Sequence, residues 1–131
     1  MPSARPPQDT KEWMPAPPAL VRAFDGAVQS VRGAEGRKMF GYPAVFVNGN
    51  MFAGLVRDRM ILRLGDRDRE RFLAIPGATP FVAMGGRPMR AWVVVPPAMV
   101  ESLRDLAPWL RRAARHGRSL PPKGPRRAGR R

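Results

Sequence analysis

With 131 residues, 44% of them apolar, the chain has material for one hydrophobic core and no room for a second domain. It contains no cysteine, which excludes disulfides and thiolate-held metals and is compatible with a reducing, cytoplasmic setting. The formal charge of +14 favours polyanions or acidic protein surfaces, and residues 117 to 131 are its densest segment: Arg118, Lys123, Arg126, Arg127, Arg130 and Arg131 with no acid, leaving +8 on residues 1 to 116.

Residues 1 to 18 mix Pro6, Pro7, Pro15, Pro17 and Pro18 with Arg5, Asp9, Lys11 and Glu12. They read as a flexible, Pro-rich lead-in without the apolar stretch of a signal peptide. The longest apolar runs, such as Ala91 to Met99, fall short of a membrane span, so a soluble, cytoplasmic protein with no membrane contact is expected.

The folded domain is expected over residues 19 to 116. From Ala19 to Val31, Leu20, Phe24, Ala27, Val28 and Val31 recur at spacings of three and four, one buried helical face, and Gly33 ends that helix. Gly33-Ala34-Glu35-Gly36-Arg37-Lys38 faintly suggests a phosphate loop, but its glycines are too close together and Met39 stands where a hydroxyl is needed. It reads as a loop entering the first strand. Met39 and Phe40 are expected to anchor that strand, with a bulge or bend at Gly41.

Ala44 to Val47 and Met51 to Val56 flank Asn48-Gly49, whose tolerance of positive φ makes it a strong hairpin signal. A second turn at Arg57-Asp58-Arg59 leads to a third strand, Met60 to Leu64, completing an antiparallel meander. Asp66 is a candidate N-cap for a short helix ending before Pro76-Gly77. Phe81 to Met84 and Met89 to Val95 form a second hairpin around Gly85-Gly86.

After Pro96-Pro97, Met99, Leu103, Leu106, Leu110 and Ala113 line one face of a last helical region, with Arg104, Arg111 and Arg115 on another. Pro108 is expected to kink or split it. Residues 117 to 131 are too rich in Pro, Gly and Arg to bury surface and read as a disordered basic tail.

The expected fold class is therefore α+β: two layers, an antiparallel five-stranded sheet with helices on one face, in the order α-β-β-β-α-β-β-α. Alternation turns Val45 and Val47 away from Phe46, so both sheet faces are partly apolar. Helices cover one; Phe46, Phe52, Ile61 and Trp92 raise the expectation that the other docks a protein partner or a second copy, unless the lead-in around Trp13 covers it.

No residues are assigned to catalysis, cofactor binding or metal ligation. His116 is the single histidine and has no evident nucleophile beside it, so it reads as a cation at a helix C-terminus. Asp66, Asp68 and Glu70 alternate with Arg67, Arg69 and Arg71, which suits a solvated helix start better than acid/base work. The tail cations Arg118, Lys123, Arg126, Arg127, Arg130 and Arg131 could contact phosphates without reading sequence, so non-specific DNA or RNA binding is the alternative function.

Three segments in order, Lys38-Met39-Phe40-Gly41 with Arg37 before it, Asn48-Gly49 within Val47 to Ala53, and Gly86-Arg87-Pro88-Met89 followed by Trp92 and Val95-Pro96, resemble the N-terminal domain of the TfoX/Sxy family. The likeness spans roughly residues 20 to 115. It implies a fold like that of secretion-chaperone-like domains and a non-catalytic regulatory module without cofactor. Full-length members regulate natural-competence genes, acting with the cyclic-AMP receptor protein at promoters. The basic segment stands where those long regulators carry a C-terminal domain, so a stand-alone form is expected.

Overall fold

The structure is a computed structural model and describes residues 14–83 and 86–123. Helix α1 is Pro18–Val28. Strands β1 (Glu35–Met39), β2 (Tyr42–Val47), β3 (Asn50–Val56) and β4 (Arg59–Arg63) follow, then α2 (Asp66–Leu73), β5 (Thr79–Val82) and β6 (Pro88–Val94). Helices α3 (Pro97–Val100) and α4 (Leu103–Ser119) close the described chain. The strands form one sheet in the order β1-β2-β3-β4-β6-β5, and every neighbouring pair is antiparallel.

The class is α+β, as expected, but the sheet has six strands rather than five. The additional strand is β1, formed by the segment read as a loop. All five of its residues are exposed, so it carries no apolar alternation and is held by its ladder to β2. The last helical region is likewise two helices.

Three two-residue turns drive the meander. Phe40-Gly41, Asn48-Gly49 and Arg57-Asp58 join β1 to β4, with φ of 55° and 86°, 52° and 79°, and 57° at Arg57. Positive φ at both central residues is the turn whose twist matches that of the strands it joins. The Asn48-Gly49 hairpin thus stands as read. Phe40 does not: it sits in a turn and is 88% exposed, and Met39 is 37% exposed, so neither anchors a strand.

The core lies between the helices and one sheet face. Leu20, Phe24 and Ala27 of α1 meet Val45, Val47, Phe52, Leu55, Met60, Leu62 and Val93 of the sheet and Leu106, Leu110 and Ala113 of α4. Phe52, expected on the opposite face, belongs to this core, because the β2–β3 register shifts between Val45 and Phe46. Helix α1 is shorter than expected: Ser30 and Val31 donate to Ala27 and Val28 oxygens, tightening its end into a turn before Gly33 at φ 77°.

Asp66 is the first helical residue of α2, not its cap. Gly65 holds the cap position, with no side-chain hydrogen bond, although Asp66 and Asp68 do lie in the first turn, where the helix dipole favours them. The break in the last helical region falls at Glu101–Ser102. There Ser102 Oγ accepts a bond from the Asp105 amide at 3.3 Å and starts a new helix. The break resets the helical phase, leaving Leu103 56% exposed rather than in the core stripe. Helix α4 continues through Pro108. The carbonyl its ring leaves without a donor is that of Arg104, on the water side of the helix.

The expected transition at Gly117 is displaced. α4 runs to Ser119, and the chain stays pinned as far as Lys123. Asn50, buried in β3, donates from Nδ2 to the Gly117 oxygen at 3.2 Å and the Pro121 oxygen at 3.1 Å. The Lys123 amide donates to the Asn48 oxygen at 2.8 Å. Two glycines make this approach feasible. A Cβ on Gly117 would stand 2.8 Å from Val47 Cγ2, and one on Gly49 would overlap the Lys123 carbonyl.

Candidate interaction face

Every described helix packs into the same core on one side of the sheet, so among the described residues the other face is finished by its own side chains. Cross-strand pairing puts Arg37 opposite Ala44, Gly54 opposite Ile61, Arg63 opposite Trp92, and Ile61 opposite Val94. Residues directly opposite share a face, so these positions, with Phe46, Val56 and Arg59, form one surface. Ile61, Phe81 and Val94 make a second apolar cluster there, flanked by Val56, Ala83, Met89 and Trp92.

The phenylalanines of this face are covered by guanidinium groups. Arg37 lies 4.6 Å from the ring centre of Phe46, and Arg59 lies 5.9 Å from that of Phe81. Planar cations stack on aromatic faces and need not be stripped of water. Phe46 and Phe81 are thereby buried without a helix over them. Beside them Trp92, Met51, Val56 and Met89 are half-buried. Arg63 Nε is buried and finds no hydrogen-bond partner among the described residues. The face is thus an apolar centre edged by Arg37, Arg59 and Arg63, with Glu35 as its acidic member, 3.4 Å from Arg37.

The residues singled out by motif fall elsewhere, apart from Trp92. Lys38 and Met39 sit exposed on edge strand β1, and Phe40 and Gly41 form the turn after it. Asn48 and Gly49 make the turn at the opposite end of β2, and Gly86, at φ 79°, lies in the β5–β6 connection. These positions set the turns of the sheet and do not converge on one site. Of the tail cations, Arg118 donates to the Arg32 oxygen at 2.5 Å, and Lys123 is held at the β2–β3 turn. Arg126, Arg127, Arg130 and Arg131 lie outside the described residues, as does Trp13. The missed surface residues, Arg59 and Arg63, carry no motif. Their shared face follows from strand register.

The histidine stands in the last turn of α4, as expected, and is half-buried there. Gly65 lies against its ring, since a Cβ there would stand 3.2 Å from Nδ1. Burial and the nearby charge of Arg63 lower its pKa from the usual 6.5, outweighing Asp66 and Asp68, which pull it upward. Asp68 also accepts from Arg112 at 3.0 Å and lies 3.8 Å from Arg115, tying α2 to α4. Phe72 meets Trp109 edge-on at 5.0 Å in the same seam.

An apolar groove of about 800 Å³ runs between α1, α3 and the β3–β4 turn, lined by Leu20, Ala23, Met60, Val95 and Leu106. Its charged residues, Arg22, Asp58, Arg59 and Glu101, are all exposed. Among the described residues no three of His, Asp and Glu gather to hold a metal ion, and no helix is long and apolar enough to cross a membrane.

Comparison with curated proteins finds no match. The family model for the TfoX N-terminal domain matches residues 27–117, which run from the end of α1 through α4 and include the whole sheet. That match spans well over half of the chain, and the chain belongs to the TfoX N-terminal domain family.

Proposed function

We propose that this protein is a non-catalytic regulatory module whose helix-free sheet face docks a protein partner bearing an apolar ridge edged by carboxylates. The observation that carries this reading is the composition of that face: Trp92, Val56 and Met51 among its apolar residues and Arg37, Arg59 and Arg63 around them. Interfaces concentrate aromatic, Met and Arg side chains and place charge at the rim. A second copy is a poorer occupant, because two-fold pairing would set one arginine rim against another. The buried, unbonded Nε of Arg63 supports an acceptor-bearing partner in the same way. A regulatory role is supported by membership of the TfoX N-terminal family.

The test is capture from nuclease-treated extract of the native cell with the full chain and with the Arg37→Glu, Arg59→Glu double variant. The reading expects a protein held by the parent, lost by the variant, and released as salt rises. Equal capture by both chains contradicts it. A purified parent that is dimeric by light scattering, and monomeric as the variant, makes a second copy the occupant instead.

A further inference from the structure

The solvent side of α4 carries a second surface, built on a different plan from the sheet face. At about 100° per residue, Arg104, Arg111, Arg115 and Arg118 fall within an arc of about 60°. They lie opposite Leu106, Leu110, Ala113 and Gly117, which the helix buries. The four guanidinium groups are strung along about 21 Å of helix axis. No acid lies within the stripe. The carboxylates that reach it come from its flank: Asp105 contacts Arg104 at 3.4 Å, and Asp68 lies 3.8 Å from Arg115 while bonding Arg112 at 3.0 Å. Arg111 has no ion pair among the described residues, and Arg118 is steadied by its bond to the Arg32 oxygen.

We infer that this arginine stripe binds the phosphate backbone of double-stranded nucleic acid, a second function independent of the sheet face. A protein-docking patch needs an apolar centre, and the stripe has none. A membrane-surface helix needs apolar side chains to insert, and those of α4 are turned into the core, apart from Leu103 at its first position. Single-stranded nucleic acid calls for exposed aromatic platforms, whereas Trp109 is packed edge-on against Phe72 and covered by Arg112, 5.3 Å from its ring centre. Backbone phosphates ask only for spaced, mobile cations on a convex rod. The stripe reads no sequence, because it is one row of guanidinium groups with no element positioned to enter a groove.

The experiment is fluorescence-anisotropy titration of a duplex of arbitrary sequence from about 50 to 200 mM salt, using full-length chains. Arg126, Arg127, Arg130 and Arg131 are first changed to Gln, so that the end of the chain cannot supply the binding. In that background, Arg104→Gln, Arg111→Gln and Arg115→Gln together are expected to lower the slope of log affinity against log salt by about 2.7, at about 0.9 per lost contact. The affinity lost over that salt range then shrinks by about 40-fold. The same three positions changed to Lys restore the slope, which separates lost charge from lost fold. The inference is overturned if the background chain with its stripe intact binds no duplex, or if the Gln variant keeps the parent slope. It is also overturned if anionic lipid vesicles bind the stripe as tightly as the duplex does.

Discussion

The two faces of the sheet are built from the same strands, yet they are sealed by different chemistry. On the helix side, Phe52, Leu62, Phe72 and Val93 are completely enclosed by aliphatic and aromatic neighbours from four helices. On the other side, Phe46 and Phe81 are closed off by the guanidinium groups of Arg37 and Arg59. Aliphatic packing is dense and cannot be exchanged for a partner without unfolding. An arginine lid is hydrated and mobile, and a partner's carboxylates can draw it aside while its apolar side chains take its place. The first face therefore holds the domain together, and the second is the one we propose for recognition.

Four substitutions sharpen that division, the largest effect first. Phe52→Ala empties the helix-side core and is expected to cost about 3–5 kcal/mol in urea unfolding. Asn50→Ala, which leaves the Gly117 and Pro121 oxygens without their donor, is expected to cost about 1–3 kcal/mol. It also frees the chain after Ser119, seen as faster amide exchange at Lys123, whose amide bonds Asn48.

A smaller effect is expected from pH. Because the folded chain holds His116 below its ordinary 6.5, the unfolded chain takes up the proton first on acidification. Stability is full well above 6.5 and declines as pH falls through 6.5 toward the lowered native value. The urea midpoint of His116→Gln should lack that decline, while a decline equal to the parent's would remove His116 as its source. Last, Arg59→Gln removes charge at an exposed position of the helix-free face, so its unfolding free energy should stay within about 1 kcal/mol of the parent. A large loss there would mean that this face, too, is structural.

Much of the helix-side face was legible in the amino-acid sequence, because it rests on local periodicity: Leu20, Phe24 and Ala27 at helical spacing, and alternation through β2 to β4 around Asn48-Gly49. β1 was not legible, since Glu35, Gly36, Arg37 and Lys38 are exposed and show no apolar alternation. Phe40 misled because an aromatic residue was weighed by hydrophobicity, and its turn geometry is set by the pairing of Met39 with Tyr42. The start of α4 could have been found, as Ser102 and Asp105 stand at capping spacing. Asn50 could not, because its partners lie 67 and 71 residues away. The helix-free face was foreseen as apolar, but its arginine rim emerges only when β1 and β4 are brought into one sheet.

The division of labour between the two faces is most directly tested by oxidative footprinting of the full chain, free and bound to a protein captured from the native cell. The account predicts that Trp92, Met51 and Met89 lose reactivity on binding while Trp109, in the α2–α4 seam, keeps its own. Unchanged reactivity at Trp92, or protection centred on Trp109, would contradict it.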